Sequence, residues 1–236
     1  MHEAMPFRLR GREVLRVEAF TDVVFGFAIT LIVVSLEVPK TFEELLHAMR
    51  GFPAFAICFA MLSWVWHIHH TFFRRYALSD DTTIALNTAL LFVVLFYTYP
   101  LKFIFSAVTG QTTGRADPST LFIIYGLGFA GIFALFLSMY AHAYRRRHEL
   151  ELSEVELHDT RSAMFMFAGS MVVGLLSTAI ALLASGRAVN WAGWIYFLLG
   201  PVSAFIGYRR GWLRRELVRE IAAREAPDLQ PSAGMG

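Results

Sequence analysis

One carboxylate and a group of nitrogen-bearing rings stand out in a chain that is otherwise strongly apolar. Asp22 lies inside the first apolar segment, and Trp64, His67, His69 and His70 lie together in the second. A carboxylate inside a membrane helix is costly unless it is paired or hydrated. Indole and imidazole N–H groups are donors that can satisfy it. Trp64 and His67 are three residues apart and share a helix face, so we expect them to hold Asp22 through interhelical hydrogen bonds worth about 1 kcal/mol each.

The same residues are compatible with two other kinds of protein. Three histidines within four positions invite a metal or haem site in a membrane enzyme, with His142 as a further ligand. Only His67 and His70 share a face well, however, and no carboxylate joins them at ligand spacing on that helix. We therefore predict no catalytic residue, no metal and no cofactor, and no enzyme. A proton-coupled transporter that uses Asp22 and His67 as a relay stays open as an alternative.

The composition places the chain in a membrane. Hydrophobic residues make up 56% of the 236 positions and charged residues only 17%, whereas soluble proteins average about 25% charged. The net charge of +2 is too small to indicate a nucleic-acid partner. The single Cys58 excludes an internal disulfide. The partner that the composition predicts is the lipid bilayer.

Six apolar segments predict an all-α, integral membrane bundle of six transmembrane helices. They lie near residues 18–36, 52–72, 84–107, 120–142, 163–184 and 191–208. The connections are too short for a separate soluble domain, so residues 1–208 form one transmembrane domain. Residues 209–236 form a basic tail, in which Leu213, Leu217 and Ile221 have helical spacing and the end is disordered.

The distribution of positive charge predicts the orientation. If both termini are cytoplasmic, sixteen of the 21 Lys and Arg residues lie inside and five outside. Cytoplasmic segments retain Lys and Arg in this way. The prediction is a multi-pass protein with both ends on the cytoplasmic side.

The start of the first segment carries a recognisable motif. Arg16-x-x-x-Phe20-Thr21-Asp22 resembles the R-x-x-x-F-S-D signature of the transmembrane protein 175 family of potassium channels. The Trp64 and His67 pair on the next segment, the chain length and the six spans fit the same family. The resemblance implies a homotetramer in a prokaryotic plasma membrane, with the first helices around a central pore that passes K⁺.

The resemblance also assigns a constriction. It implies that Phe27 is the narrowest point of the pore and that Thr30 contributes to the ion path. Independently, Val23, Phe27, Thr30, Val34 and Glu37 follow a spacing of four and three residues and form one stripe. On this hypothesis Thr30 is a polar ring and Glu37 concentrates cations at the outer mouth. The same stripe is typical of an ordinary helix-packing seam.

Two positions depart from the family pattern. Thr21 replaces serine but keeps the hydroxyl, whereas Phe27 replaces the usual Ile or Leu and is larger and flatter. Four phenyl rings around an axis seal a pore by dewetting or offer their faces to a cation. A non-conducting scaffold with a pore-like fold therefore stays open as a further alternative. We assign Arg16 to pairing or headgroup contact near the cytoplasmic surface.

Overall fold

The structure is a computed structural model, and it contains helices and no strand in the residues that it describes. These residues are 7–11, 13–34, 40–50, 52–108 and 117–225. The predicted all-α class is therefore confirmed for that part of the chain. Residues 226–236, which include the end predicted to be disordered, lie outside it.

Eight α-helices follow one another along the described chain. They are α1 (Arg16–Val34), α2 (Phe42–Arg50), α3 (Phe52–Tyr76), α4 (Asp81–Val108), α5 (Pro118–Arg145), α6 (Glu154–Leu183), α7 (Trp191–Trp194) and α8 (Leu199–Glu225). Two short 3-10 helices, Gly186–Asn190 and Ile195–Leu198, lie on either side of α7. α8 continues without a break through the basic segment that the sequence analysis assigned to the tail.

Four helical stretches are long and apolar enough to cross a membrane, judged by length and composition within the described residues. They are Asp81–Leu101, Pro118–Arg145, Glu154–Leu183 and Ala188–Ile221. A six-span protein also requires α1 and α3 to cross. Their 19 and 25 residues correspond to about 28 and 38 Å of helix, against a hydrocarbon core of about 30 Å. The count of six therefore stays a prediction that both helix lengths allow.

Glycines face each other where α5 packs against α6. A Cβ added to Gly126 would lie 2.8 Å from the carbonyl oxygen of Gly174, and one added to Gly174 would lie 2.9 Å from that of Gly126. A Cβ on Gly128 would collide with the ring of Tyr97. Small residues let membrane helices approach closely. Gly126, Gly128 and Gly174 therefore lie where helices approach each other closely.

An aromatic core joins α3, α5 and α6 near one end of the bundle. Phe72 and Tyr76 of α3 pack their rings on Tyr140 of α5, at centroid distances of 5.3 and 5.5 Å. Tyr140 also packs on Phe167 of α6 at 5.0 Å. The Tyr76 hydroxyl lies 2.7 Å from that of Thr160. Buried aromatic pairs of this kind add to the free energy of folding beyond their buried area, so this end of the bundle is firmly packed.

The sequence analysis did not predict α2. This nine-residue helix places Phe42, Leu45, Leu46 and Met49 on one side at helical spacing, and all four side chains are exposed. It lies between the first two predicted spans, where the sequence analysis placed only a connection.

Candidate pore helix and its polar contacts

α1 has one covered face and one uncovered face. The covered face consists of residues spaced three and four apart, each less than 5% exposed: Glu18, Thr21, Phe25, Ala28 and Ile32. α1 packs against α3 and α4. Because α3 and α4 contact this face, they fix the rotation of α1 about its own axis.

The uncovered face follows the opposite side of the helix. Phe20, Val23 and Phe27 are 58%, 70% and 59% exposed, and Thr30 is exposed as well. These residues are also three and four apart, so they form one stripe. Three of the predicted pore-lining and constriction residues, Val23, Phe27 and Thr30, therefore share a face that the described part of the chain does not cover.

The C-terminal part of the predicted stripe, from Thr30 to Glu37, is only partly described. Thr30 donates a hydrogen bond from its hydroxyl to the carbonyl oxygen of Phe27 at 2.8 Å, which ties the hydroxyl to the backbone of its own helix. Val34 is the last residue of α1. The side chain of Val34 and the whole of Glu37 lie outside the described residues, so their positions in the stripe stay predictions.

A buried chain of hydrogen bonds joins α1, α3 and α4 through the motif threonine. Asn87 of α4 donates from Nδ2 to the Thr21 hydroxyl at 2.9 Å, and that hydroxyl donates to the carbonyl of Val17 at 2.8 Å. Nε2 of His69 lies 2.8 Å from Oδ1 of Asn87. Since an amide oxygen only accepts, this contact requires the His69 tautomer with its proton on Nε2. Thr21, His69 and Asn87 are at most 1% exposed, so these hydrogen bonds are shielded from solvent.

A second pair of polar contacts links α1 to α3. The indole Nε1 of Trp66 donates to Oδ1 of Asp22 at 2.7 Å, and Nδ1 of His70 lies 3.1 Å from Oε1 of the buried Glu18. The Trp66 and His70 rings stack at a centroid distance of 5.5 Å. Glu18 and Asp22 are four residues apart, as are Trp66 and His70, so two carboxylates on one helix match two donors on the other.

The partner of Asp22 differs from the one that the sequence predicted. Trp64 is 52% exposed and packs its ring on Phe133 of α5 at 6.0 Å. The side chain of His67 is exposed, and its carbonyl accepts a bond from the Thr71 hydroxyl. Residues two apart on a helix point about 200° apart, so Trp64 and Trp66 face opposite ways. Within the chain, the assignment of Trp64 and His67 to Asp22 is therefore corrected to Trp66.

The sequence analysis missed Asn87 as a contact of Thr21 and Trp66 as the partner of Asp22. Asn87 is the one amide within the third apolar segment, and an isolated polar residue in such a segment is a signal for an interhelical contact. The match between the Glu18–Asp22 spacing and the Trp66–His70 spacing is also present in the sequence. Arg16 begins α1 and is exposed, and it forms no ion pair with the described residues.

Asp22 also borders an open pocket of about 350 Å³ beside α1. The pocket is lined by Asp22, Phe25, Gly26, Ile29, Ser63 and Trp66. A Cβ added to Gly26 would meet no atom within 4 Å. This space leaves the carboxylate accessible to water or to a neighbouring chain, and either would lower the cost of its charge.

No group of three or more His, Cys, Asp or Glu side chains in the described part of the chain is arranged to hold a metal ion. The three clustered histidines separate accordingly. His69 points to Asn87, His70 to Glu18, and the side chain of His67 is exposed. The arrangement suits hydrogen bonding between helices.

Comparison with known proteins identifies the family. Residues 16–97 match the family described as "Endosomal/lysosomal potassium channel TMEM175". The chain is also 37% identical over 233 residues to a protein of Marivirga tractuosa named "Potassium channel", a match that covers 91% of this chain and 94% of that protein. The chain belongs to the TMEM175 family. The matched residues 16–97 include α1, α3 and most of α4, the helices that carry the polar contacts described above.

Two solved TMEM175 structures resemble this one. The potassium channel MtTMEM175 superposes with a TM-score of 0.77 at 36% identity, covering 89% of this chain and 99% of that chain. A protein from Chamaesiphon minutus, described as a homolog of the lysosomal potassium-selective channel TMEM175, has a TM-score of 0.57 at 23% identity, covering 83% of this chain and 96% of that chain, which supports the fold alone. Membership of this channel family, a non-enzymatic class, confirms the prediction that the chain is not an enzyme. The chain is a multi-pass membrane protein of the lipid bilayer.

Proposed function

We propose that the chain forms a potassium-preferring monovalent cation channel in which four copies place their α1 helices around one axis. The observation that carries the proposal is the two-sided character of α1. One face is held by α3 and α4, while Phe20, Val23, Phe27 and Thr30 are exposed and not covered by the other described residues. The names of the Marivirga relative and of MtTMEM175 support potassium as the permeant ion.

In this proposal each side chain of the uncovered face has its own role in the pore. Phe27 forms the hydrophobic constriction, where an apolar ring opposes ion passage by dewetting. The ring faces of four Phe27 side chains attract a cation that has lost part of its hydration. Thr30, one turn away, supplies oxygens, and Val23 lines the cytoplasmic side. Glu37 concentrates cations at the outer mouth, and Val34 lines the wall between Thr30 and Glu37.

The contacts on the other side of α1 keep this face directed at the axis. Thr21 is held by Asn87, Asp22 by Trp66, and Glu18 lies beside His70. Each such contact between membrane helices contributes about 1 kcal/mol. The motif residues Thr21 and Asp22 therefore orient α1, and they do not themselves line the pore.

The remaining parts of the proposal concern assembly and location. The chain crosses the membrane six times, with α1 and α3 as the first two spans and both termini in the cytoplasm. It resides in the plasma membrane of a prokaryotic cell as a homotetramer. Tetramer formation is measured by light scattering of the purified protein, with four times the 26.7 kDa chain mass as the expected result.

Ion flux from proteoliposomes tests the function. Under a K⁺ gradient the wild type is compared with Phe27→Ala and Phe27→Asn, and Phe197→Ala serves as a control because Phe197 is 73% exposed on the last apolar stretch. We expect rapid K⁺ flux whose rate or K⁺/Na⁺ preference changes with both Phe27 variants and stays unchanged in the control. Flux that appears only in Phe27→Ala indicates a closed pore, the scaffold alternative. Saturable flux coupled to pH indicates a transporter instead.

A further inference from the structure

A groove between α6 and α8 combines apolar walls with two arginines at its edge. Its volume is about 370 Å³, and it is lined by Phe165 of α6 and by Phe205, Ile206, Arg209, Arg210 and Leu213 of α8. None of its lining residues takes part in the polar contacts of α1 or belongs to the proposed pore.

The two arginines at the edge are positioned by aromatic rings and not by carboxylates. The guanidinium of Arg210 lies 4.2 Å from the ring centroid of Phe165, and that of Arg209 lies 5.9 Å from that of Phe205. Neither forms an ion pair with any described residue. Arg214, one turn further along α8, instead bonds the carboxylate of Asp159 at 3.0 Å. Arg209 and Arg210 therefore carry positive charge that the described part of the chain leaves without a counter-charge.

Contacts with α6 fix the backbone next to the groove. Nε2 of His158 donates to the carbonyl oxygen of Arg210 at 3.0 Å, and the Arg214–Asp159 ion pair closes the next turn. The Asp159 and Arg214 side chains are 18% and 25% exposed, so this pair is partly shielded from solvent. The groove is therefore a formed feature of the α6–α8 packing at this end.

Exposed aromatic residues flank the two arginines of the groove and indicate its expected depth in a membrane. Tyr208 and Trp212 are 72% and 49% exposed and lie on either side of the two arginines in the sequence. Exposed Tyr and Trp side chains mark the membrane–water interface in spanning helices. The candidate span Ala188–Ile221 includes all four residues, and we expect Arg209 and Arg210 to lie near the point where this span leaves the hydrocarbon.

We propose that this groove binds an anionic phospholipid. The headgroup phosphate contacts the guanidinium groups of Arg209 and Arg210, which form charge-assisted hydrogen bonds to phosphate oxygens. One acyl chain lies along Phe165, Phe205 and Ile206, toward the hydrocarbon. Basic pockets between membrane helices bind anionic headgroups by this combination of charge and apolar contact. The proposal does not depend on channel activity.

Native mass spectrometry of the purified full chain tests the proposal. Micelles contain dioleoyl phosphatidylglycerol or, as the neutral comparison, dioleoyl phosphatidylcholine. In the variant R209Q/R210Q we expect phosphatidylglycerol affinity to fall by about fivefold for each arginine, with no change for phosphatidylcholine. The control R215Q/R219Q removes the same charge from exposed positions of α8 outside the groove, and it should retain wild-type affinity.

A charge-neutral variant separates a formed groove from general attraction to basic residues. Phe165→Ala removes the ring beneath Arg210 without changing any charge, and we expect it to weaken phosphatidylglycerol binding, whereas Phe197→Ala leaves it unchanged. Equal losses in R209Q/R210Q and R215Q/R219Q would overturn the proposal in favour of diffuse charge attraction. Unchanged binding in R209Q/R210Q would overturn it as well. If that variant cannot be purified, unchanged binding in Phe165→Ala is decisive against the groove.

Discussion

The guanidinium of Arg10 and the carboxylate of Glu156 form a bidentate ion pair across 146 residues of the chain. Nη1 donates to Oε1 at 3.0 Å and Nη2 to Oε2 at 2.9 Å, and the two side chains are only 12% and 5% exposed. Arg10 also donates to the carbonyl of Leu150, and the amides of Arg10 and Gly11 donate to the carbonyl of Arg74. The segment just before α1 is thereby held against the ends of α3 and α6.

Breaking this pair should destabilise the protein strongly. Glu156→Gln removes the charge that faces Arg10 while keeping an oxygen for the capping box with Ser153. Leaving one partner of a largely buried pair without its counter-charge costs about 3 kcal/mol. We expect a clear fall in Tm by thermal-shift fluorescence in detergent.

An exposed pair nearby provides the matched control. Arg8 and Glu151 are 3.8 Å apart, with side chains 72% and 78% exposed, so Glu151→Gln should change Tm little. Equal changes in Tm for Glu151→Gln and Glu156→Gln would show that burial of the Arg10–Glu156 pair adds nothing to its contribution to stability.

The two tryptophans of α3 give a direct test of the contact to Asp22. Trp66→Phe removes the donor at 2.7 Å and leaves the carboxylate without its partner in the chain. Trp64→Phe removes an indole of similar size that packs on Phe133. We expect Trp66→Phe to reduce the tetramer fraction on size-exclusion chromatography more than Trp64→Phe does. The reverse order would mean that Trp64 supports Asp22 across subunits.

Substituting Asp22 itself should affect assembly before selectivity. In Asp22→Asn the amide oxygen still accepts from Trp66 but the negative charge is lost, so the contact weakens. We expect a smaller tetramer fraction and an unchanged K⁺/Na⁺ preference in the tetramers that form. A stable tetramer with altered ion preference would place Asp22 in the ion path and contradict its orienting role.

The hydrogen-bond chain through Asn87 should be equally sensitive to substitution. Asn87→Leu leaves the buried Nε2 of His69 without an acceptor and removes the donor to Thr21. Unsatisfied buried groups of this kind cost about 1–3 kcal/mol each. Thr88→Ala, at an exposed position whose hydroxyl bonds its own helix, is the control. A loss of thermal stability confined to Asn87→Leu is expected, and no difference between the two variants would argue against the buried chain.

The carboxylate of Asp80 gives the fold a dependence on acidic pH. Burial raises its pKa, but the hydroxyl of Thr83 and the ring of His142 outweigh that effect and hold the pKa below its ordinary 3.8. A lowered carboxyl pKa stabilises the folded state above the unfolded pKa, and this contribution is lost as pH falls through the folded value. The Tm difference between wild type and Asp80→Asn should therefore shrink as pH falls below about 3.8. A difference that grows with acidity would contradict this account.

The sequence predicted the all-α membrane class because apolar length is a strong signal in a membrane chain. It also singled out the stripe of Val23, Phe27 and Thr30, since spacing alone defines a helix face. It did not establish which face of α1 the rest of the chain covers. Lipid is as apolar as a protein core, so a uniformly apolar helix carries little information about its rotation. The exposure of this stripe became visible only in the packed structure.

The polar partners were harder to predict for a related reason. Choosing between Trp64 and Trp66 requires the rotation of α3, which only the whole bundle determines. Arg10 and Glu156 meet where the segment before α1, the end of α3 and the start of α6 come together. No local pattern links two residues so far apart in the sequence. The matched spacing of Glu18–Asp22 and Trp66–His70 was present in the sequence, but four-residue spacings are too common on helices to identify a pair.

The most direct test of the central claim, that the uncovered face of α1 lines an ion path, is block of K⁺ flux by a thiol reagent at single cysteines. Val23→Cys, Phe27→Cys and Thr30→Cys are made in a Cys58→Ala background, with Ala28→Cys on the covered face and Phe197→Cys on the last apolar stretch as controls. We predict that a charged, membrane-impermeant thiol reagent blocks K⁺ flux in the first three variants and in neither control. Block that is absent at Val23, Phe27 and Thr30, or equal at Ala28, would contradict the claim.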